Sequence, residues 1–253
     1  MPYIGENRDA ARIATDAGLA LLELRKQLDV AGVDLTALQA QGDRSSNELI
    51  LRALKAAYPA DPILSEESKD DPARLASERV WIVDPLDGTR EFGEAGRTDW
   101  AVHVALAVGG VPIVAAVALP ARSLTLGTEA PPSLPPRSPG PLRIAVSRTR
   151  PPAMALALAE RLGATLVPMG SAGVKTISVA LGETDVYVHA GGQYEWDSAA
   201  PIGVAAAAGL HVSRIDGSPL RYNQPNPWLP DQLVCRPELA AEVLEAIRRT
   251  STE

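Results

Sequence analysis

A mixed α/β (α+β) fold is what the sequence predicts, and three patterns predict it. Two long apolar, β-branched runs meet at Gly109-Gly110 in the first half. Helix-like and strand-like periodicities alternate through the second half. A proline-rich stretch separates the two.

In chain order, residues 8–28 read as an amphipathic helix, with Ile13, Ala17, Leu21, Leu24 and Leu28 on one face. Asp43-Arg44-Ser45-Ser46 reads as the start of a second helix, whose apolar face is Ile50, Leu51 and Leu54; Pro59 follows its end. Short strands are expected at 63–64 and 80–83. Residues 101–108 and 111–119 form a hairpin signal, with a third strand at 123–126. The run Pro131 to Pro141 holds too many prolines for helix or central strand and is expected to link two units, 1–130 and 142–253. Beyond it, strands are expected at 142–146, 165–167, 185–188, 212–215 and 233–235. Helices are expected at 153–162, 171–181, 196–208 and 237–248, the first three ending at Gly163, Gly182 and Gly209.

Composition narrows the function. A formal net charge of −7 gives no global attraction to a nucleic-acid polymer or an anionic membrane. The single cysteine, Cys235, excludes an internal disulfide and a cysteine zinc cluster, and its apolar setting reads as a buried thiol. Met1-Pro2-Tyr3-Ile4-Gly5-Glu6 lacks the features of a signal peptide, and no apolar run reaches membrane-span length, so a cytoplasmic location is expected. The hairpin at 101–119 is core or an interface, which leaves a homodimer open.

The chemistry concentrates in Trp81-Ile82-Val83-Asp84-Pro85-Leu86-Asp87-Gly88-Thr89. An apolar strand runs into a carboxylate, Pro85 stops the ladder, and Asp87 follows in a tight turn that Gly88 permits. Two carboxylates so close must share a proton or share cations. Ser65-Glu66-Glu67-Ser68 and Trp196-Asp197 supply further acids, which favours cations. An all-oxygen set suits magnesium or manganese, and His103, His189 and His211 lie outside the motifs, which speaks against zinc. Clustered magnesium ions would neutralise a phosphate and activate water, Thr89 would orient that water, and backbone N–H groups after Gly88 would receive phosphate. Each fragment alone has a plainer reading: a turn for Asp84-Pro85, a solvated surface for Glu66-Glu67, a helix cap for Asp197. Their conjunction points to a metal-dependent phosphatase.

At WIVDPLDGTREF (81–92), SEES (65–68) and WDSAAP (196–201) the sequence resembles the inositol monophosphatase superfamily of lithium-sensitive, magnesium-dependent phosphatases, over nearly the whole chain. The resemblance implies a layered α-β-α-β-α sandwich and two or three Mg2+ ions. It implies Glu66, Asp84 and the Leu86 carbonyl as ligands of one metal, and Asp84, Asp87 and Asp197 as ligands of a second. Catalytic roles would fall to Asp43, Thr89 and Glu66, with Asp43 and Thr89 paired over the attacking water. Substrate contacts would come from Glu66, Leu86, Asp87, Gly88, Thr89, Ser171, Lys175 and Asp197. Ser65, where the family often has Gly, and Arg90-Glu91, where Thr-Asn is common, depart from the pattern.

Residues 170–175, followed by Ala180-Leu181-Gly182 and Asp185-Val186-Tyr187, resemble the 3'(2'),5'-bisphosphate nucleotidase branch, in which a Ser and a Lys at this helix start contact a second phosphate. The substrate implied is a small phosphorylated metabolite, adenosine 3',5'-bisphosphate. Lys175 equally reads as a solvated helix charge, and Ser147-Arg148 as a turn or a second anion contact. The alternatives are an inositol- or sugar-phosphate phosphatase on the same metal core, and a non-catalytic metal- or ligand-binding protein.

Overall fold

The computed structural model describes residues 3–29 and 32–250. Met1 and Pro2, on which the leader reading partly rests, and residues 251–253, the end of the expected C-terminal unit, lie outside them.

Helix α1 spans Ile4–Arg25 and α2 spans Leu35–Ala57. Strands β1 (Ile63–Ser65), β2 (Arg79–Asp87), β3 (Ala101–Val108), β4 (Val111–Leu119) and β5 (Leu124–Gly127) form one sheet in sequence order; α3 (Thr89–Phe92) is a single turn after β2. β1 and β2 are parallel, and the other neighbours are antiparallel. The second sheet, in order β7-β6-β8-β10-β9, contains β6 (Arg143–Ser147), β7 (Thr165–Met169), β8 (Val186–Tyr194), β9 (His211–Ser213) and β10 (Trp228–Cys235). Helices α4 (Ala153–Leu162), α5 (Ala172–Ala180), α6 (Glu195–Ala207) and α7 (Ala240–Thr250) complete the chain.

Alternation along the first sheet builds the layers. Trp81, Val83, Val102, Val104, Val114 and Ala116 face α1 and α2. Val80, Ile82, Ala101, Ala105, Ala115 and Val117 face the opposite way, onto α5 and α6. Ile144, Val146, Val186, Val188, Leu233 and buried Cys235 pack the outer face of the second sheet on α4 and α7. The result is the five-layer α-β-α-β-α order. The hairpin 101–119 is therefore mostly core, covered on both faces. The scarcity of aromatics fits the middle layer. α6 is rich in small residues, and a Cβ at Gly203 would come within 2.7 Å of Ala115 Cβ, so only glycine permits this helix–sheet approach.

Four expectations need correction. α2 begins at Leu35, capped by Asp34, whose side chain accepts from Ala37 N at 3.1 Å; Asp43 therefore lies mid-helix instead of at its start. Pro85 interrupts the ladder without ending β2: the register passes from Asp84↔His103 to Asp87↔Ala101 across a bulge. β10 starts at Trp228 because Asp231 pairs with Arg214 and Gln232 bonds Ser198, so polar residues are buried inside the strand, and β8 continues past Val188 to Tyr194 beside it. α1 ends at Arg25, three residues early, and a 3-10 turn follows.

Candidate active site

The site forms where β1 and β2 end, against the N-termini of α5 and α6. Period-two alternation turns Asp84 toward α6, the same face as Ile82, and its cross-strand partner His103 shares that face. The bulge at 85–86 then lets Asp87 reach α5. Asp87 Oδ2 accepts from Ser171 Oγ at 2.5 Å and from Gly173 N at 2.6 Å, and Oδ1 accepts from Ala172 N at 3.2 Å. The first amides of α5 are thus engaged by Asp87. Gly88 at φ 90° makes this turn: a Cβ there would be strained and would press on Asp99 O, Ser171 and Trp100.

Asp84 is fully buried. Its Oδ1 accepts from Leu86 N at 3.0 Å, and its Oδ2 has no hydrogen-bond partner among the described residues. Glu66, just past β1, is close enough to Asp84 for the two carboxylates to repel each other. Asp197, in the first turn of α6, accepts from Tyr194 N at 2.6 Å. Desolvation, then repulsion from Asp197 and Asp87, pushes Glu66 up to about 8. Desolvation and then Asp87 push Asp197 up to about 7, and desolvation with Glu66 raises Asp84 well above the carboxylate range. Glu66, Asp84, Asp87 and Asp197 are therefore gathered into one electrostatic cluster with too little positive charge. Asp43 stands beside it: Thr89 Oγ1 lies 3.3 Å from Asp43 Oδ1 and 3.1 Å from the Leu86 carbonyl. Burial, with Glu67 nearby, raises Asp43 to about 6.

One of the histidines outside the motifs does belong to the site. His103 Nδ1 is 3.8 Å from Asp84 Oδ2, and its Nε2 is 3.4 Å from Asp87 Oδ2. It hides in an apolar run, and only its cross-strand register with Asp84 exposes the link. Nδ1–H donates to Trp196 O at 3.1 Å, while burial lowers the imidazole's pKa and keeps it neutral. Nε2 is walled in by Gly173, where a Cβ would come within 2.0 Å of it. Among the described residues, a carboxylate oxygen of Asp84, one of Asp87 and a ring nitrogen of His103 lie within 4.8 Å of one another, and His103 Nε2, like Asp84 Oδ2, has no hydrogen-bond partner. Unpartnered Asp84 Oδ2 and the crowded carboxylates fit a hard divalent cation.

Two arginines brace the site without a sequence motif to announce them. Arg148 joins Asp99 and Glu91, and Asp99 also accepts from Gly170 N at 2.6 Å, which ties the loop after α3 to the start of α5. Arg148 is thereby engaged with protein carboxylates. Arg25 donates to the carbonyls of Glu91, Phe92, Glu94 and Arg97 and lies 5.3 Å from the Trp100 ring centroid. Lys175 is 6% exposed, and its ammonium donates to the carbonyls of Gly170 and Ser171. Burial lowers its pKa, against the opposing pull of Asp87 and Glu91.

A cavity of about 480 Å³ adjoins this cluster, lined by Ala172, Lys175, Ser147, Arg150, His189 and Trp228 among others. It falls within the roughly 300–1,000 Å³ of small-molecule sites.

The family model described as "Inositol monophosphatase family" matches residues 7–131 and 138–251. The chain belongs to the inositol monophosphatase family. A crystal structure of CysQ from Bacteroides thetaiotaomicron, a bacterial member of that family, superposes with a TM-score of 0.79 at 25% identity, covering 93% of this chain and 98% of that one. Inositol monophosphatase II from Staphylococcus aureus gives the same TM-score at 21% identity, covering 95% of this chain and 94% of that one, which speaks for the fold alone. Among curated relatives, a Mycobacterium bovis protein named 3'-phosphoadenosine 5'-phosphate phosphatase is 54% identical over 92% of this chain and 89% of its own length. Escherichia coli 3'(2'),5'-bisphosphate nucleotidase CysQ is 30% identical over 84% of this chain and 90% of its own. Among the described residues of this inositol monophosphatase family member, no helix is long and apolar enough to cross a membrane.

Proposed function

We propose that this chain is a magnesium-dependent, cytoplasmic phosphomonoesterase that converts adenosine 3',5'-bisphosphate to AMP and phosphate. The observation that carries the substrate is the 54% identity, over 92% of the chain, to a relative named for that activity. The carboxylate cluster supports the reaction class.

Glu66, Asp84, Asp87, Asp197 and the Leu86 carbonyl would hold the divalent cations, which would supply Lewis acidity at the phosphoryl oxygens and offset the cluster's charge. Asp43 and Thr89 orient the attacking water. Asp43, raised to about 6, is mostly ionised at neutral pH and is suited to accept its proton. The water oxygen bonds to phosphorus, the bond to the 3'-oxygen breaks, and that oxygen leaves with the electron pair and is reprotonated. Gly88 brings the backbone close to the phosphoryl group. Ser171 holds Asp87 in place, and Lys175 supplies positive charge on the cavity side. In this reading residues 1–130 carry the water-activating pair and residues 142–253 add Asp197 and Lys175, with 131–141 joining them.

Phosphate release should be compared on adenosine 3',5'-bisphosphate, inositol 1-phosphate and fructose 1,6-bisphosphate. The nucleotide is expected to lead in kcat/KM by about tenfold or more, a margin of about 1.4 kcal/mol. Inositol phosphate in the lead would refute the assignment. In the same assay, Lys175→Met is expected to raise KM for the bisphosphate more than for 3'-AMP, by roughly tenfold, because one charge contact is lost. Equal effects on the two nucleotides would remove Lys175 from the second phosphate.

A further inference from the structure

The cavity beside the carboxylates has one wall unlike anything a small polyol phosphate requires. Trp228, at the start of β10, is 45% exposed and lines the cavity, although it carries the largest apolar surface of any side chain type. Its position is held closely. The six-membered ring edge rests on Gly192, where a Cβ would fall 1.6 Å from the indole, so only glycine admits the ring. Tyr194, its cross-strand partner, meets it edge-on at 5.2 Å between centroids, and Tyr194 stacks on Trp196 at 4.6 Å. Trp196 is the residue before Asp197, so the indole is packed onto the segment that carries a proposed metal ligand.

The irregularity in β8 beneath the ring is also fixed. Gly191 and Gly192 have φ of 123° and 86°. His189 Nε2 lies 2.9 Å from Gly192 O, an acceptor, so Nε2 bears the proton and Nδ1, 3.1 Å from Tyr187 Oη, accepts from that hydroxyl. Tyr187 in turn presents its ring 5.5 Å from Lys175 Nζ. One wall thus runs from a buried cation through Tyr187 and His189 to an exposed indole. Arg150, whose guanidinium makes no hydrogen bond or ion pair among the described residues, lines the same cavity.

We infer that Trp228 is the stacking platform for the substrate's nucleobase and sets the preference for a nucleotide over a base-free phosphate ester; the inference rests on the nucleotidase reading. A planar base laid on the indole would occupy the cavity, with its ribose and phosphates directed toward Lys175 and the carboxylates. An aromatic face accepts any base by stacking, so this wall would favour nucleotides as a class and leave the choice among bases to other contacts.

The test measures binding and turnover separately. AMP binding is followed by calorimetry on wild type, Trp228→Ala, Trp228→Leu and Trp228→Phe. Leu keeps apolar bulk over Gly192 without a π-face, and Phe keeps the face. Alanine and leucine are expected to weaken AMP binding roughly 5- to 150-fold, with phenylalanine close to wild type. The ratio of kcat/KM on the bisphosphate to that on inositol 1-phosphate should fall by a similar factor in the first two. Unchanged AMP binding in Trp228→Leu, or equal losses in Leu and Phe, overturns the inference. If wild type bound AMP through Trp228 yet released no phosphate from the bisphosphate, the proposed activity would fall and the platform would stand. If it hydrolysed the bisphosphate well and Trp228→Leu left both readouts unmoved, the platform alone would fall.

Discussion

Asp84→Asn is expected to lower turnover by roughly 10²-fold or more while leaving the fold intact. The carboxamide oxygen introduced by this substitution can still accept from Leu86 N, so the bulge survives. What disappears is the formal charge at the most buried point of the cluster, shared by both proposed metal sites. Near-normal activity would mean that the cations bind elsewhere. Stability supplies a second readout. Glu66, Asp84 and Asp197 hold their protons more tightly when folded than unfolded, since burial and mutual repulsion raise them. Their contribution is therefore full below the ordinary carboxylate range and is lost progressively as pH rises toward about 8. Metal-free wild type should melt lower at pH 8.5 than at pH 6, and magnesium should recover most of the difference. Metal-free Asp84→Asn should lose less on the same rise in pH, because one repelling charge is gone, and should gain less from magnesium. A wild-type Tm that increases over this interval without metal would contradict the electrostatic account of the cluster.

Thr89→Ala is expected to cost about 10²-fold or more in kcat with little change in the magnesium-dependent rise in Tm. Thr89 Oγ1 lies between Asp43 and the Leu86 carbonyl, and Thr89 supplies no cluster carboxylate. Its removal frees Asp43 from its hydroxyl partner and leaves the water without its second anchor. This split, catalysis lost and cation stabilisation kept, separates a water-orienting residue from a ligand. Loss of both together would place Thr89 in the metal site, and loss of neither would remove it from the mechanism.

The strand alternation that is plain in Val80 to Val83 carries farther than its apolar residues. Continued by one position, it puts Asp84 on the α6 face, so the location of the central carboxylate is legible from sequence. The same rule applied to 101–108 puts His103 opposite Asp84, but this requires the register of β2 against β3, which no local pattern encodes. The first part of β10, before Leu233, is hidden because Asp231 and Gln232 read as polar surface, and only distant partners, Arg214 and Ser198, make their burial tolerable. Asp43 suggests a helix start by composition, yet Asp34 provides the actual cap, nine residues earlier. The bracing by Arg25 and Arg148 spans 49 to 72 residues of sequence and leaves no motif. Trp228 carries no local signal of its own; its setting over Gly192 and beside Tyr194 emerges only when β8 and β10 pair.

Crystals soaked in manganese, with anomalous scattering recorded at the metal's absorption edge, would test most directly whether these separated carboxylates share cations. The account predicts at least one strong peak bounded by oxygens of Glu66, Asp84, Asp87 and Asp197, at about 2 Å from its ligands. Saturating manganese with no peak inside that cluster, or peaks confined to surface acids, would contradict it.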